Sequence, residues 1–117
     1  MPLETSAVSL DTGLKLVGET DGNIRIFKGI PYAEPPIGSL RWCPPVPFKG
    51  AGRRTATAFA PDPVQTPINV GFQGTRAPGC SEDCLYPSIW APDVAENLPA
   101  MVWVFGTARF GGSATDS

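Results

Sequence analysis

The chain has 117 residues, enough for one small domain, and its 13 glycines and 14 prolines interrupt regular elements too often for long helices or coiled coils. Only 17% of positions are charged, the net charge is −2, and the nine basic residues are scattered apart from Arg53-Arg54, so no basic stripe marks a nucleic-acid partner. There is no histidine, which removes Ser-His-Asp and Cys-His triads and every His-containing metal site from these residues.

Residues 1–6 lack the basic start and apolar run of a signal peptide. No apolar stretch approaches the ~20 residues of a membrane span, so the chain as written is expected to be cytoplasmic, with no membrane partner. Leu14, Leu16 and Gly18 lead to Thr20-Asp21-Gly22, a turn signal, and beyond it Ile24 and Ile26 alternate with the flanking Arg25 and Lys28. The two runs predict an antiparallel hairpin with one polar face. From Pro31 to Pro67 prolines recur in sets such as Glu34-Pro35-Pro36 and Pro44-Pro45-Val46-Pro47. Proline has no backbone donor and a fixed φ, which predicts extended, turning coil. Residues 55–59 fit a short strand or a turn equally. Residues 66–80 read as a mobile, glycine-rich loop.

Regular structure resumes over 85–90, where Pro87 restricts it to an edge or a bent strand. Residues 100–105 form a continuous apolar run ending at glycine, which predicts a strand buried on both faces of an α/β sheet. Such a strand requires neighbours and covering helices, and no segment here reads as a helix. The chain therefore reads as the opening of a larger α/β protein, expected to end before its partners.

Several motifs resolve into ordinary structure. Arg41-Trp42-Cys43-Pro44-Pro45-Val46-Pro47 has the spacing of a ligand for proline-reading adaptor domains, yet it is embedded among aromatics. A structural loop with Trp42 and Phe48 buried is the simpler reading. The stretch from Gly106 to Ser113 has the outer spacing of a phosphate loop, but Gly112 stands where the lysine should. Gly79-Cys80-Ser81-Glu82-Asp83 and Gly111-Gly112-Ser113-Ala114-Thr115 match only the first half of the G-x-S-x-G elbow. Three cysteines are too few for a disulfide framework, and Cys80 and Cys84 match no zinc spacing; they read as buried or half-buried thiols. Ser81-Glu82-Asp83 reads as a charged turn whose carboxylates want a basic partner.

Phe27-Lys28-Gly29-Ile30-Pro31-Tyr32-Ala33-Glu34-Pro35-Pro36-Ile37-Gly38-Ser39-Leu40-Arg41-Trp42 resembles the type-B carboxylesterase/lipase family, which includes cholinesterases and fungal lipases. Ser81-Glu82-Asp83-Cys84-Leu85-Tyr86 is similar to the family's second signature. Val102-Trp103-Val104-Phe105-Gly106, continuing to Gly112-Ser113, is similar to its strand entering the oxyanion-hole loop. The three motifs fall in the family's order, with the fungal branch nearest. The resemblance implies the N-terminal portion of an α/β-hydrolase fold, here mostly strands and proline-rich loops with few or no helices. It divides residues 1–117 into an antiparallel hairpin region (8–30), proline-rich loops (31–80), the first central-sheet strands (85–105) and an oxyanion-loop-like segment (106–114).

The same resemblance implies hydrolysis of carboxylic esters by a serine nucleophile, with an acid and a histidine and no cofactor or metal. None of that triad lies in this chain, so it has no catalytic residue of its own and is expected to be inactive alone. Gly106, Thr107 and Ala108 stand where the family has its oxyanion glycines, whose backbone N–H groups stabilise the tetrahedral intermediate. A β-branched Thr107 resists positive φ there. Glu34, Arg41 and Glu82 match the family, the last two as a structural ion pair. The cysteine that would pair with Cys84 is expected near Pro63-Val64-Gln65, where none stands. Pro87 replaces an apolar residue and Arg109 an aromatic one. An ester is the expected substrate of the longer parent, and many relatives are secreted. The alternative is a degenerate, non-catalytic relative acting as a binding or interaction module. Self-association through exposed strand edges is expected of the fragment, and a compact monomer of the stand-alone module.

Overall fold

Leu14 and Leu16 lie two positions apart, so an extended backbone turns both to one face, and both are buried. Phe27, Ile30 and Ala56 meet them there, and Val8 and Phe48 pack against the cluster from its margin. In this computed structural model, which describes residues 4–66, 77–106 and 111–115, that cluster is the core beneath a five-stranded sheet.

The strands are β1 (Glu4–Ser9), β2 (Leu14–Asp21), β3 (Ile24–Phe27), β4 (Gly52–Thr55) and β5 (Ile89–Pro92). β2 is the hub. It pairs antiparallel with β1, from Glu4↔Thr20 to Ser9↔Lys15, and antiparallel with β3, from Glu19↔Ile26 to Asp21↔Ile24. Its first half pairs in parallel with β4, Leu14 facing Gly52 and Val17 facing Thr55. β5 closes the far side of β3, with Phe27 opposite Ile89. The expected hairpin is thus present as β2 and β3, turning at Gly22, whose φ of +57 suits glycine.

Gly18 is required for a different reason. A Cβ there would run into the Ile26 carbonyl oxygen and stand 2.6 Å from Phe27 Cδ1, so the hairpin closes only over a bare backbone.

Four expectations change. β1 lies mostly before the predicted hairpin region; its sequence, ETSAVS, carries little apolar alternation, and pairing with β2 makes it a strand. β4, within the proline-rich stretch, occupies the Pro-free interval around Arg53-Arg54 and ends at Thr55, with Ala56 continuing the contact by donating to Val17 O at 2.7 Å. The strand expected over 85–90 is displaced to Ile89–Pro92, on the sheet edge, and follows Pro87 rather than containing it.

The fourth is the apolar run at 100–105, which forms no strand. Met101, Val102, Trp103 and Val104 are 75–97% exposed, and no described residue offers their backbone a ladder partner. Apolar character alone does not make a strand; hydrogen-bonded neighbours do. Among the described residues the single helical piece is a 3-10 turn at Gly38–Leu40. No helix there is long and apolar enough to cross a membrane. Residues 67–76, most of the glycine-rich loop, lie outside the described residues.

Candidate functional site

The 3-10 turn ends at Arg41, whose N–H donates to Gly38 O at 3.2 Å. From there its guanidinium reaches Glu82, with Nε 2.6 Å from Oε1 and both side chains about half exposed. Glu82 is presented by a turn held at both ends. Ser81 N–H donates to Asp62 O at 2.9 Å, and Asp83 N–H donates to Ser81 Oγ at 3.1 Å. The structure therefore brings Arg41 and Glu82 together across 41 positions of sequence.

The residue after Arg41 departs from expectation. Trp42 is 97% exposed with φ +62, a conformation a bulky side chain adopts only when its neighbours hold it. It directly follows Arg41, whose side chain is paired with Glu82. Phe48, paired with it in the sequence reading, does pack on the core.

Beside this pair, Tyr86 O–H donates to Asp83 Oδ1 at 2.7 Å, and its ring lies 5.8 Å from the Arg54 guanidinium. Burial pushes the Tyr86 phenol up; the hydrogen bond to Asp83 and that carboxylate's charge add to the effect, against the pull of Arg54. Cys84 is pushed up too, by burial first and then by the charges of Asp83 and Asp62. It is half-buried, as expected for a structural thiol, whereas Cys43 and Cys80 are exposed. All three are free thiols. Among the described residues, no three His, Cys, Asp or Glu side chains converge on a point that would hold a metal ion.

Of the three oxyanion-loop positions, Gly106 is described and exposed; Thr107 and Ala108 lie outside the described residues, as does Arg109. The chain is described again from Gly111, and here side chains that the sequence reading passed over appear. Gln65 Oε1 accepts from Gly112 N–H at 2.7 Å, while Gln65 Nε2 donates to Gly112 O at 2.9 Å and to Pro63 O at 3.1 Å. Ser113 Oγ donates to the Asp62 carboxylate and lies 2.8 Å from Thr115 Oγ1. Asp62, Ser113 and Thr115 are all 5% exposed or less. Ser113 is thus a buried structural hydroxyl rather than a nucleophile, in line with its half-matched elbow motif. No sequence signal marks Asp62 or Gln65: both sit among prolines, and their partners are about fifty residues away.

A model described as the carboxylesterase family matches residues 6–117. Over 96 residues the chain is 46% identical to a fumonisin B1 esterase of Sphingopyxis macrogoltabida, covering 80% of this chain and 17% of that protein. Over 104 residues it is 38% identical to the para-nitrobenzyl esterase of Bacillus subtilis (strain 168), covering 87% of this chain and 21% of that one. Among solved structures, a PNB esterase superposes with a TM-score of 0.83 at 38% identity, covering 94% of this chain and 23% of its own. The chain spans about a fifth of the length of the curated relatives it matches.

Proposed function

The chain belongs to the carboxylesterase family, and from that premise we propose that it forms the opening part of a carboxylic-ester hydrolase whose serine, acid and histidine lie outside these residues. Its fold is that of the α/β-hydrolases, represented here by strands and loops. The reading is carried by one observation: 94% of the chain superposes on 23% of an esterase at 38% identity, while the chain holds no histidine. A triad cannot be assembled from what is present.

Within this reading residues 8–30 and 31–80 supply the small sheet and its proline-rich loops. Residues 85–105 supply the first central-sheet strands, with 101–105 paired once the rest of the domain surrounds them. Residues 106–114 supply the oxyanion loop, in which the backbone N–H groups of Gly106, Thr107 and Ala108 face the developing oxyanion. Arg41 and Glu82 are a structural pair that ties the loop after the 3-10 turn to the turn before β5, and the 2.6 Å contact supports that role. When residues 1–117 stand alone, the exposed Met101–Val104 run favours association between copies. Covering each such side chain is worth about 1.5–3 kcal/mol.

The test joins residues 1–117 to the remaining part of the Bacillus para-nitrobenzyl esterase and follows hydrolysis of an activated aryl ester. Saturable turnover by the joined protein, with none above buffer for the 117 residues alone, is the expected result. A soluble, folded hybrid without turnover refutes the reading and favours the non-catalytic module.

A further inference from the structure

We propose that a second copy of this chain extends the sheet: residues 100–105 of one copy add as a strand along the outer edge of β5 in another. The inference deepens the association between copies put forward above by naming the two surfaces that meet. β5 is the last strand on its side of the sheet. Asp93 N–H donates to Asn23 O at 2.7 Å, and in an antiparallel ladder residues that bond inward alternate with residues that bond outward. Ala91 and Ile89 therefore bond toward β3, opposite Arg25 and Phe27, and Trp90 turns its N–H and C=O to the other side. Among the described residues no strand lies there.

The chemistry of this edge sets it apart from the other outer strands. β4 carries Arg53 and Arg54, and β1 opens with Glu4, Thr5 and Ser6, side chains of the kind that discourage further pairing. β5 reads Ile89-Trp90-Ala91-Pro92, without a charge, and Ile89 and Trp90 are each half exposed. The run at 100–105 is also uncharged, has the composition of a strand, and leaves Met101, Val102, Trp103 and Val104 in solvent. The positions on either side of it are occupied. Asp93 is bonded to Asn23 and paired with Arg25, and Gly112 exchanges two hydrogen bonds with Gln65. The run between them is left over. One chain thus holds both an apolar edge without a strand and a strand without an edge. Two copies are self-complementary: the added strand satisfies backbone groups on both sides and covers Trp90 together with alternate side chains of the run.

The run forms no ladder within its own chain, so substitutions there leave the five strands intact. In the 15N-labelled 117-residue chain, the Trp90 amide is expected to be protected from exchange at high concentration and to lose roughly 10-fold of that protection on dilution. The Ala91 amide, bonded to β3, is expected to stay protected throughout. Met101→Pro and Val102→Pro each keep an apolar side chain and remove one N–H. In a strand added to β5, one of these two N–H groups faces β5 and the other faces outward, where proline is tolerated. One variant is therefore expected to weaken association by roughly 10-fold or more in sedimentation, and the other to stay within about 3-fold of wild type.

Equal effects of the two prolines, or none, mark non-directional apolar contact and overturn the proposal. A Trp90 amide whose exchange is independent of concentration also overturns it, whether the run folds back on its own chain or the copies meet elsewhere. So does a chain that is monomeric at every concentration. None of these measurements involves hydrolysis: an inactive joined esterase counts against the esterase reading and leaves this one standing, and failure here leaves the esterase reading untouched.

Discussion

Replacing Gly18 by alanine tests how the hairpin closes over the core. The added methyl would stand 2.6 Å from Phe27 Cδ1, about 0.9 Å inside the ~3.5 Å at which carbons rest, and would press on the Ile26 carbonyl oxygen as well. Neither neighbour yields easily. Ile26 O belongs to the β3 backbone, and Phe27 is buried among Leu14, Leu16, Ile30 and Ala56. Relief requires β3 to move away from β2, weakening the pairs from Glu19↔Ile26 to Asp21↔Ile24. Overpacking of this kind costs about 1–3 kcal/mol, and more when backbone must shift. The stiffer unfolded chain returns about 0.4–1 kcal/mol. A net loss of about 2 kcal/mol is expected. With a urea slope of about 1–2 kcal/mol/M for so small a domain, the midpoint falls by roughly 1–2 M, read by circular dichroism. Gly22→Ala is the control: nothing lies within 4 Å of its added Cβ, and only the positive φ costs, at about 1–2 kcal/mol without loss of Phe27 packing. A Gly18→Ala midpoint equal to wild type refutes the packing argument.

Other consequences are equally direct. In a double-mutant cycle, Arg41→Ala and Glu82→Ala are expected to couple by about 0.2–1 kcal/mol, because both groups are half in water, and the coupling fades with salt; a coupling near zero at low salt removes the pair's structural role. Alkylation at pH 8 is expected to modify exposed Cys43 well before Cys84, whose thiol is pushed up; equal rates contradict the burial described. The raised Tyr86 phenol favours the protonated form in the folded chain, so the unfolded chain releases that proton first. Its stabilisation is complete below ~10 and is lost as pH rises through the folded value, and Tyr86→Phe is expected to remove that slope. Val102→Asp with Val104→Asp is expected to reduce association of the 117-residue chain in light scattering, and unchanged scattering places the contact elsewhere.

What could be read in the residues was local. The β2–β3 hairpin was legible because its turn and its alternation lie within fourteen positions. Arg41 and Glu82 were legible through motifs that the chain shares with its family. β1 and β4 were not, since neither ETSAVS nor GRRT has an apolar pattern; both are strands because β2 offers them backbone partners. The run at 100–105 misled for the converse reason, having a strand's composition without a partner. Asp62 and Gln65 were missed because a buried polar contact between residues about fifty positions apart leaves no periodic trace. Trp42 was expected inside on apolarity, and it stands exposed at a positive φ that no local pattern announces.

The sheet also imposes an order in time. β1, β2 and β3 are complete by Phe27, but the strand that closes β3 begins at Ile89, sixty-two residues later. At about 5–20 residues per second, a chain leaving the ribosome carries β3 with one unpaired edge for roughly 3–12 s. An open edge invites neighbouring chains. Arg25 on that strand and Lys28 just past it place positive charge along the waiting edge. Lys28 meets Glu19 on β2, already present in the early sheet, whereas Arg25 is taken up only later by Asp93, next to β5. The charge of Arg25, which keeps nascent chains apart, becomes part of an ion pair when the sheet closes.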